Sequence, residues 1–199
     1  MTEDSKKIKN AIKSFTHAHG PHFIPVPLCY QETPYTCGVA CVQSILASYG
    51  ITYRQDLLIE MLKQKPFFGT DYHEIIRFLQ MLKFQAVLQA DLEIEALKNY
   101  INKGITPMLL LQAWKEDDIA YPYVWRDSHY VIACGYQENQ IIFMDPFTLG
   151  NYTYVTYSDL PKRWHSLDQA GNHLTFSAII IQHKKLTNIY KPEEIKYME

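Results

Sequence analysis

The sequence predicts an α+β domain with a helical half packed on an antiparallel sheet, and three observations carry that prediction. Segments with apolar residues at helical spacing crowd the chain before residue 104, whereas short extended apolar runs dominate after it. Tyrosine is frequent at 15 residues and aromatics reach 14%, many in the second half, which suits a sheet with aromatic-rich loops. The 199 residues, 47% hydrophobic and 20% charged, supply one well-filled core. No internal repeat, low-complexity tract or linker divides it. Residues 1–22 read as an N-terminal extension with a short helix, 23–183 as the folded domain and 184–199 as a charged tail, either a peripheral helix or disordered.

Taken in order, residues 4–15 alternate Lys with Ile, Ala and Phe and suggest a short amphipathic surface helix. His17, His19 and His22 follow, three histidines in six residues that could ligate a metal with Cys29; no carboxylate or Cys-x-x-Cys partner supports a site, and a polar loop is the preferred reading. Residues 23–30 are held extended by Pro25 and Pro27. From about Cys37 to Tyr49 runs an uncharged helix. No charged residue occurs between Glu32 and Arg54, so it should be buried at the centre of the domain, with Gly50 ending it. A second helix is expected over 53–63 behind a Thr52 cap and a third over 71–82 behind a Thr70 cap. A strand over 84–89, a helix over 91–103 closed by Gly104 and a strand over 105–112 follow. Residues 113–127 form a long connection with two Trp and two Tyr, read as part of a substrate cleft through Trp114 and Trp125, or as an aromatic lid on the sheet edge. Strands over 129–136 and 141–145 make a hairpin, and strands over 151–157 and 175–182, with a short helix at 158–164, complete the sheet.

Composition narrows the function classes. A formal charge of −2 without a basic cluster gives no reason to expect nucleic acid or an anionic membrane. Neither a signal peptide nor an apolar run of spanning length appears, so membrane insertion is not expected and the reducing cytoplasm is the default location. Cys29, Cys37, Cys41 and Cys134 are too few for a disulfide scaffold and read as free thiols.

Cys37 stands in the first turn of the uncharged helix, where unpaired amides and the positive dipole end favour thiolate and can receive an oxyanion. A cysteine nucleophile needs a base, and the base an orienting group. His129 opens one strand of the hairpin and Asp145 closes the other. With the turn centred on Gln137 the register sets 129 opposite 145, and the even separation puts both on one face. Gln31, six residues before the thiol, could turn its amide toward a tetrahedral oxyanion beside the Cys37 N–H. Each residue alone has an ordinary structural explanation: a core cysteine, a half-buried strand histidine, an Asp-Pro strand terminator.

Together, Gln31-x5-Cys37-Gly-Val-Ala-Cys, the apolar helix ending in Tyr-Gly, His129-Tyr-Val-Ile-Ala-Cys-Gly-Tyr and Ile-Ile-Phe-Met-Asp145-Pro resemble the peptidase C39-like branch of papain-like cysteine peptidases, related to domains that remove double-glycine leaders. The resemblance spans about Val26 to Gln182. It implies a papain-like fold with Cys37 as nucleophile, His129 as general base and acid, Asp145 as orienting carboxylate and Gln31 as oxyanion donor. The family often has an acidic residue just before the Cys-Gly pair, where this chain has Thr36, and its leader-processing domains are usually fused to a membrane exporter. The expected function is a cysteine peptidase or amide hydrolase working through an acyl-thioester on Cys37, on a peptide or protein substrate and without cofactor or metal. The alternatives are a papain-like acyltransferase or transpeptidase, and a catalytically silent peptide-binding domain.

Overall fold

The computed structural model describes residues 22–114, 119–126 and 128–192. The expected helix over 4–15 and the residues His17 and His19 lie outside this range. Helix α1 (Cys37–Ser48) is followed by α2 (Gln55–Met61), α3 (Tyr72–Met81), strand β1 (Phe84–Gln89), α4 (Ile94–Asn102), β2 (Met108–Leu111), β3 (His129–Gln137), β4 (Gln140–Met144), β5 (Tyr152–Thr156), a one-turn α5 (Leu160–Arg163), β6 (His165–Leu167), β7 (His173–Thr175) and β8 (Ala178–His183). A 3₁₀ turn, Tyr121–Tyr123, interrupts the long connection before β3.

Six strands form one antiparallel sheet in the order β1-β8-β2-β3-β4-β5, and β6 with β7 forms a separate ribbon. Alternation along the strands divides the core in two. One face of the sheet, with Met108, Tyr130, Ile132, Cys134, Ile142, Met144, Ile179 and Ile181, meets the apolar sides of α1, α2 and α3. The other, with Leu109, Val131, Ala133, Phe143 and Ile180, meets Leu97 and Ile101 of α4 and Trp164. Helical packing is therefore unequal but present on both faces. The burial of α1 follows from its lack of charge: Val39, Ala40, Cys41, Val42 and Leu46 are fully enclosed. At about 1.5–3 kcal/mol per fully buried aliphatic side chain, this helix anchors the domain.

Helix ends show where local chemistry differs from the expectation. Both α1 and α4 finish in a Schellman turn on a left-handed glycine. Gly50 donates to Ala47 O and Ile51 to Leu46 O, and Gly104 and Ile105 repeat the pattern on Ile101 and Tyr100. The caps move, however. Asp71, not Thr70, caps α3, its side chain accepting from His73 N, because a carboxylate at that position reaches the free amide one turn ahead. Arg54, not Thr52, precedes α2, and no side chain caps that helix.

Of the tail, residues 184–192 are not helical. Ile189 N donates to Ser48 O and Asn188 Nδ2 to Pro25 O, fastening it across the end of α1 and the entry segment. The entry segment also joins the sheet: Ile24 N donates to Cys134 O, and Tyr136 N to His22 O. Among the described residues no helix is long and apolar enough to cross a membrane.

Candidate active site

Cys37 starts α1 because the loop before it is tied down on three sides. Thr33 N donates to Thr36 Oγ1, which donates back to Thr33 O, so the Thr36 hydroxyl closes a turn rather than capping the helix. Gln55 on α2 reaches across to this loop, its Nε2 donating to Tyr30 O and its Oε1 accepting from Glu32 N. Gln31 N donates to Pro146 O at 3.0 Å, which brings the segment ahead of the cysteine beside the residue after Asp145. The Gln31 amide is buried. One Nε2 hydrogen goes to Thr33 O, and its Oε1 has no partner among the described residues. The second Nε2 hydrogen meets no acceptor among the described residues.

His129 opens β3 and Asp145 directly follows β4. Their side chains meet, His129 Nε2 lying 2.6 Å from Asp145 Oδ1. The register that joins them is not the expected one. The hairpin turns at Glu138-Asn139, with Gln137 paired to Gln140, and would by itself set Ile132 against Asp145. Between Ala133 and Gly135 the ladder shifts, so that Ile132 pairs with Met144 and Val131 falls next to Asp145. The bulged residue, Cys134, restores the parity. His129, two residues from Val131, shares a side of the hairpin with the carboxylate on a diagonal.

The Cys37 thiol lies near enough to the imidazole for each group to shift the other's pKa. Since Nε2 faces Asp145, Nδ1 is the nitrogen left for sulfur. Burial is the largest influence on the Cys37 thiol and pushes it up. The hydrogen bond and charge of His129 and the backbone N–H groups of Tyr130 and Gly38 together outweigh it, and the pKa lies below the ordinary 9.0. For His129, burial opposes the charge, but hydrogen bonds to Asp145 and Cys37 and their negative charges push it up to about 9. Asp145 is raised by burial and lowered more by His129, the Phe147 N–H and the Trp114 indole, leaving its carboxyl below the usual range. The three shifts run in one direction, biasing Cys37 toward thiolate, His129 toward imidazolium and Asp145 toward carboxylate. The other thiols behave oppositely, burial pushing Cys29 up to about 11 and Cys41 and Cys134 up as well. All four cysteines are free.

The two expected cleft residues part company. Trp114 donates from Nε1 to Asp145 Oδ2 at 3.0 Å and leans on Phe147. Trp125 lies instead on the β6–β7 ribbon, with ring centroids 4.5 Å from His165 and 4.2 Å from His173. His22 stacks on Tyr136 and shares a hydrogen bond with Asn102, and no group of metal-ligating side chains forms among the described residues. Two supports escaped the sequence reading. Gln55 has no local signal marking it as a clamp on the loop before Cys37. Gly38 is more legible in retrospect, since a Cβ there would stand 3.0 Å from Thr70 Cβ and from Tyr130 Cδ2, and a Cys-Gly pair opening a helix hints at such a close approach.

With this geometry in place the comparisons are specific. A profile of the Peptidase C39 family matches residues 25–167, and the chain belongs to that family. Solved structures agree on the architecture. The peptidase domain of Streptococcus ComA, a bifunctional ABC transporter involved in quorum sensing, superposes with a TM-score of 0.58 at 22% identity, over 79% of this chain and 98% of that one. A protein described as a C39-like peptidase from Bacillus anthracis gives 0.60 at 17% identity, over 80% and 96%. A double-glycine-motif protease from an AMS/PCAT transporter, solved with its leader peptide, gives 0.56 at 15% identity, over 81% and 94%. At these identities the likeness speaks for the papain-like fold. No curated protein matches the sequence.

Proposed function

We propose that this chain is a cysteine peptidase or amide hydrolase acting through an acyl-thioester on Cys37. The observation that carries the reading is the hydrogen bond from His129 to Asp145 together with the mutual pKa shifts of that imidazole and the Cys37 thiol, which stands at the first turn of a buried helix. In the first step the thiolate attacks the carbonyl carbon of the scissile bond, and the carbonyl oxygen takes the negative charge. The backbone N–H of Cys37, which has no intrahelical acceptor, and the free Nε2 hydrogen of Gln31 suit that oxygen. Imidazolium His129 gives its proton to the amine nitrogen as the C–N bond breaks, leaving the acyl group on sulfur. Neutral His129 then takes a proton from water, which attacks the thioester; the acid leaves and the thiolate–imidazolium pair is restored.

A peptide substrate is supported by the family and by the related protease solved with a leader peptide. The reducing cytoplasm would keep the thiols free. The test is a peptide library incubated with wild type and with Cys37→Ala, followed by mass spectrometry. Cleavage by wild type alone, with a thioester trapped on Cys37, is expected. Products that become amides when an amine is added would identify acyl transfer, and equal inactivity of both proteins would leave a peptide-binding domain.

A further inference from the structure

The Asp145 carboxylate is held by four donors. Oδ1 receives His129 Nε2 at 2.6 Å and Phe147 N at 2.9 Å; Oδ2 receives Trp114 Nε1 at 3.0 Å and Thr153 Oγ1 at 3.4 Å. Only Trp114 comes from outside the β3–β5 strands and their connections. It follows β2 across the sheet, and its backbone takes a left-handed φ of 54°, which a bulky aromatic residue rarely adopts. Its ring and that of Phe147, 5.1 Å apart, lie together at this carboxylate, and each is about half exposed. A residue serving only as a cleft wall has no need to direct its single polar atom inward onto a carboxylate.

We propose that Trp114 is a positioning residue for the reaction: its indole N–H fixes Oδ2 so that Oδ1 stays on the imidazole, and its ring with Phe147 limits water at the carboxylate. This rests on the reading of Cys37 and His129 as a reactive pair. Without the indole donor the carboxylate is less firmly ionised and freer to turn. It then supports the imidazolium less, and the imidazolium supports the thiolate less. The titratable groups facing this line are Cys41 from α1 and Tyr130 from β3, with Asp71 at the start of α3 acting on Tyr130. Burial raises Cys41 and Tyr130, so both stay neutral through the relevant range.

The experiment compares wild type with Trp114→Phe, which keeps an aromatic ring against Phe147 and removes the donor. Iodoacetamide labelling of Cys37 across pH reads the thiolate without any peptide, and urea unfolding checks the fold. The variant should show a labelling midpoint raised by roughly half a unit to one unit. On a cleaved peptide it should lose kcat severalfold at acid pH with KM little changed. An unchanged midpoint with a raised KM would make Trp114 a substrate wall, and an unchanged midpoint with weaker folding would make it structural; either overturns the proposal. A wild-type thiol that titrates like a simple one overturns the hydrolase reading itself, a separate failure.

Discussion

Replacing His129 with glutamine probes the site through the thiol alone. A thiol at the ordinary value of 9.0 is only about 1% ionised at pH 7, so complete ionisation raises the reactive fraction at most about 100-fold. The rate gains less, since each unit of pKa lost weakens the sulfur anion about threefold on a Brønsted slope of about 0.45. A thiol brought down by about two units gains about 50-fold in fraction and loses about eightfold in nucleophilicity, a net of about sixfold. Rate at neutral pH is thus a poor gauge, and the pH of half-maximal labelling is the sharp one. In wild type that midpoint should lie below 9.0, because the bond and charge of His129 help outweigh burial. In His129→Gln burial faces only the two backbone N–H groups, and the midpoint should rise above 9.0. Glutamine retains a donor for Asp145, so the buried carboxylate is not orphaned. Cys29, Cys41 and Cys134 are all held protonated by burial, so iodoacetamide with peptide-resolved mass spectrometry follows Cys37 separately. A wild-type midpoint at or above 9.0, or one that does not move in a variant of unchanged urea stability, would refute the reasoning.

Three further substitutions test other links. In Asp145→Asn the upper limb of the peptidase pH profile, set by His129 losing its proton at about 9, should move down toward the ordinary 6.5. The raised folded pKa of His129 contributes stability that is complete below 6.5 and lost as pH rises through about 9. Urea midpoints of this variant should therefore lose that contribution at lower pH than wild type. Gly135→Ala places a Cβ 2.7 Å from Phe23 Cδ2 and 3.1 Å from His22 O; the backbone oxygen cannot swing aside, and chemical denaturation should show a loss of about 1–3 kcal/mol. Asp71→Ala removes the α3 cap at a cost of about 1 kcal/mol, which calorimetry should register as a melting point lower by about 2–4 °C.

The parts of this fold governed by local chemistry were the legible ones. The limits of α1 follow from an uncharged apolar run and a terminating Gly50, and β1 falls on the expected residues 84–89 because a short apolar stretch between turn signals has few other uses. Caps were less secure, since Thr70 and Asp71 are both good capping residues and only the chain path decides between them. The meeting of His129 with Asp145 was expected from an even separation across a hairpin, yet the actual path includes a displaced turn and a bulge whose effects on parity cancel. The bond between Trp114 and Asp145 joins residues 31 apart through side-chain atoms, which periodicity does not encode. The split of the aromatic loop between that carboxylate and the β6–β7 ribbon was illegible for the same reason.

The extra residue in β3 gives this hairpin something like a reading frame. Two alignments of the strands are available, and only one turns base and carboxylate the same way; Cys134 selects it. Pairing that residue into the ladder instead of bulging it out would act as a frameshift in space, setting Ile132 against Asp145 and turning the carboxylate away from the side of His129 without any change in sequence. Variation at the Glu138-Asn139 tip, by contrast, lies beyond the selecting position, so the outer end of the ribbon is free to change length without rephasing the pair at its base.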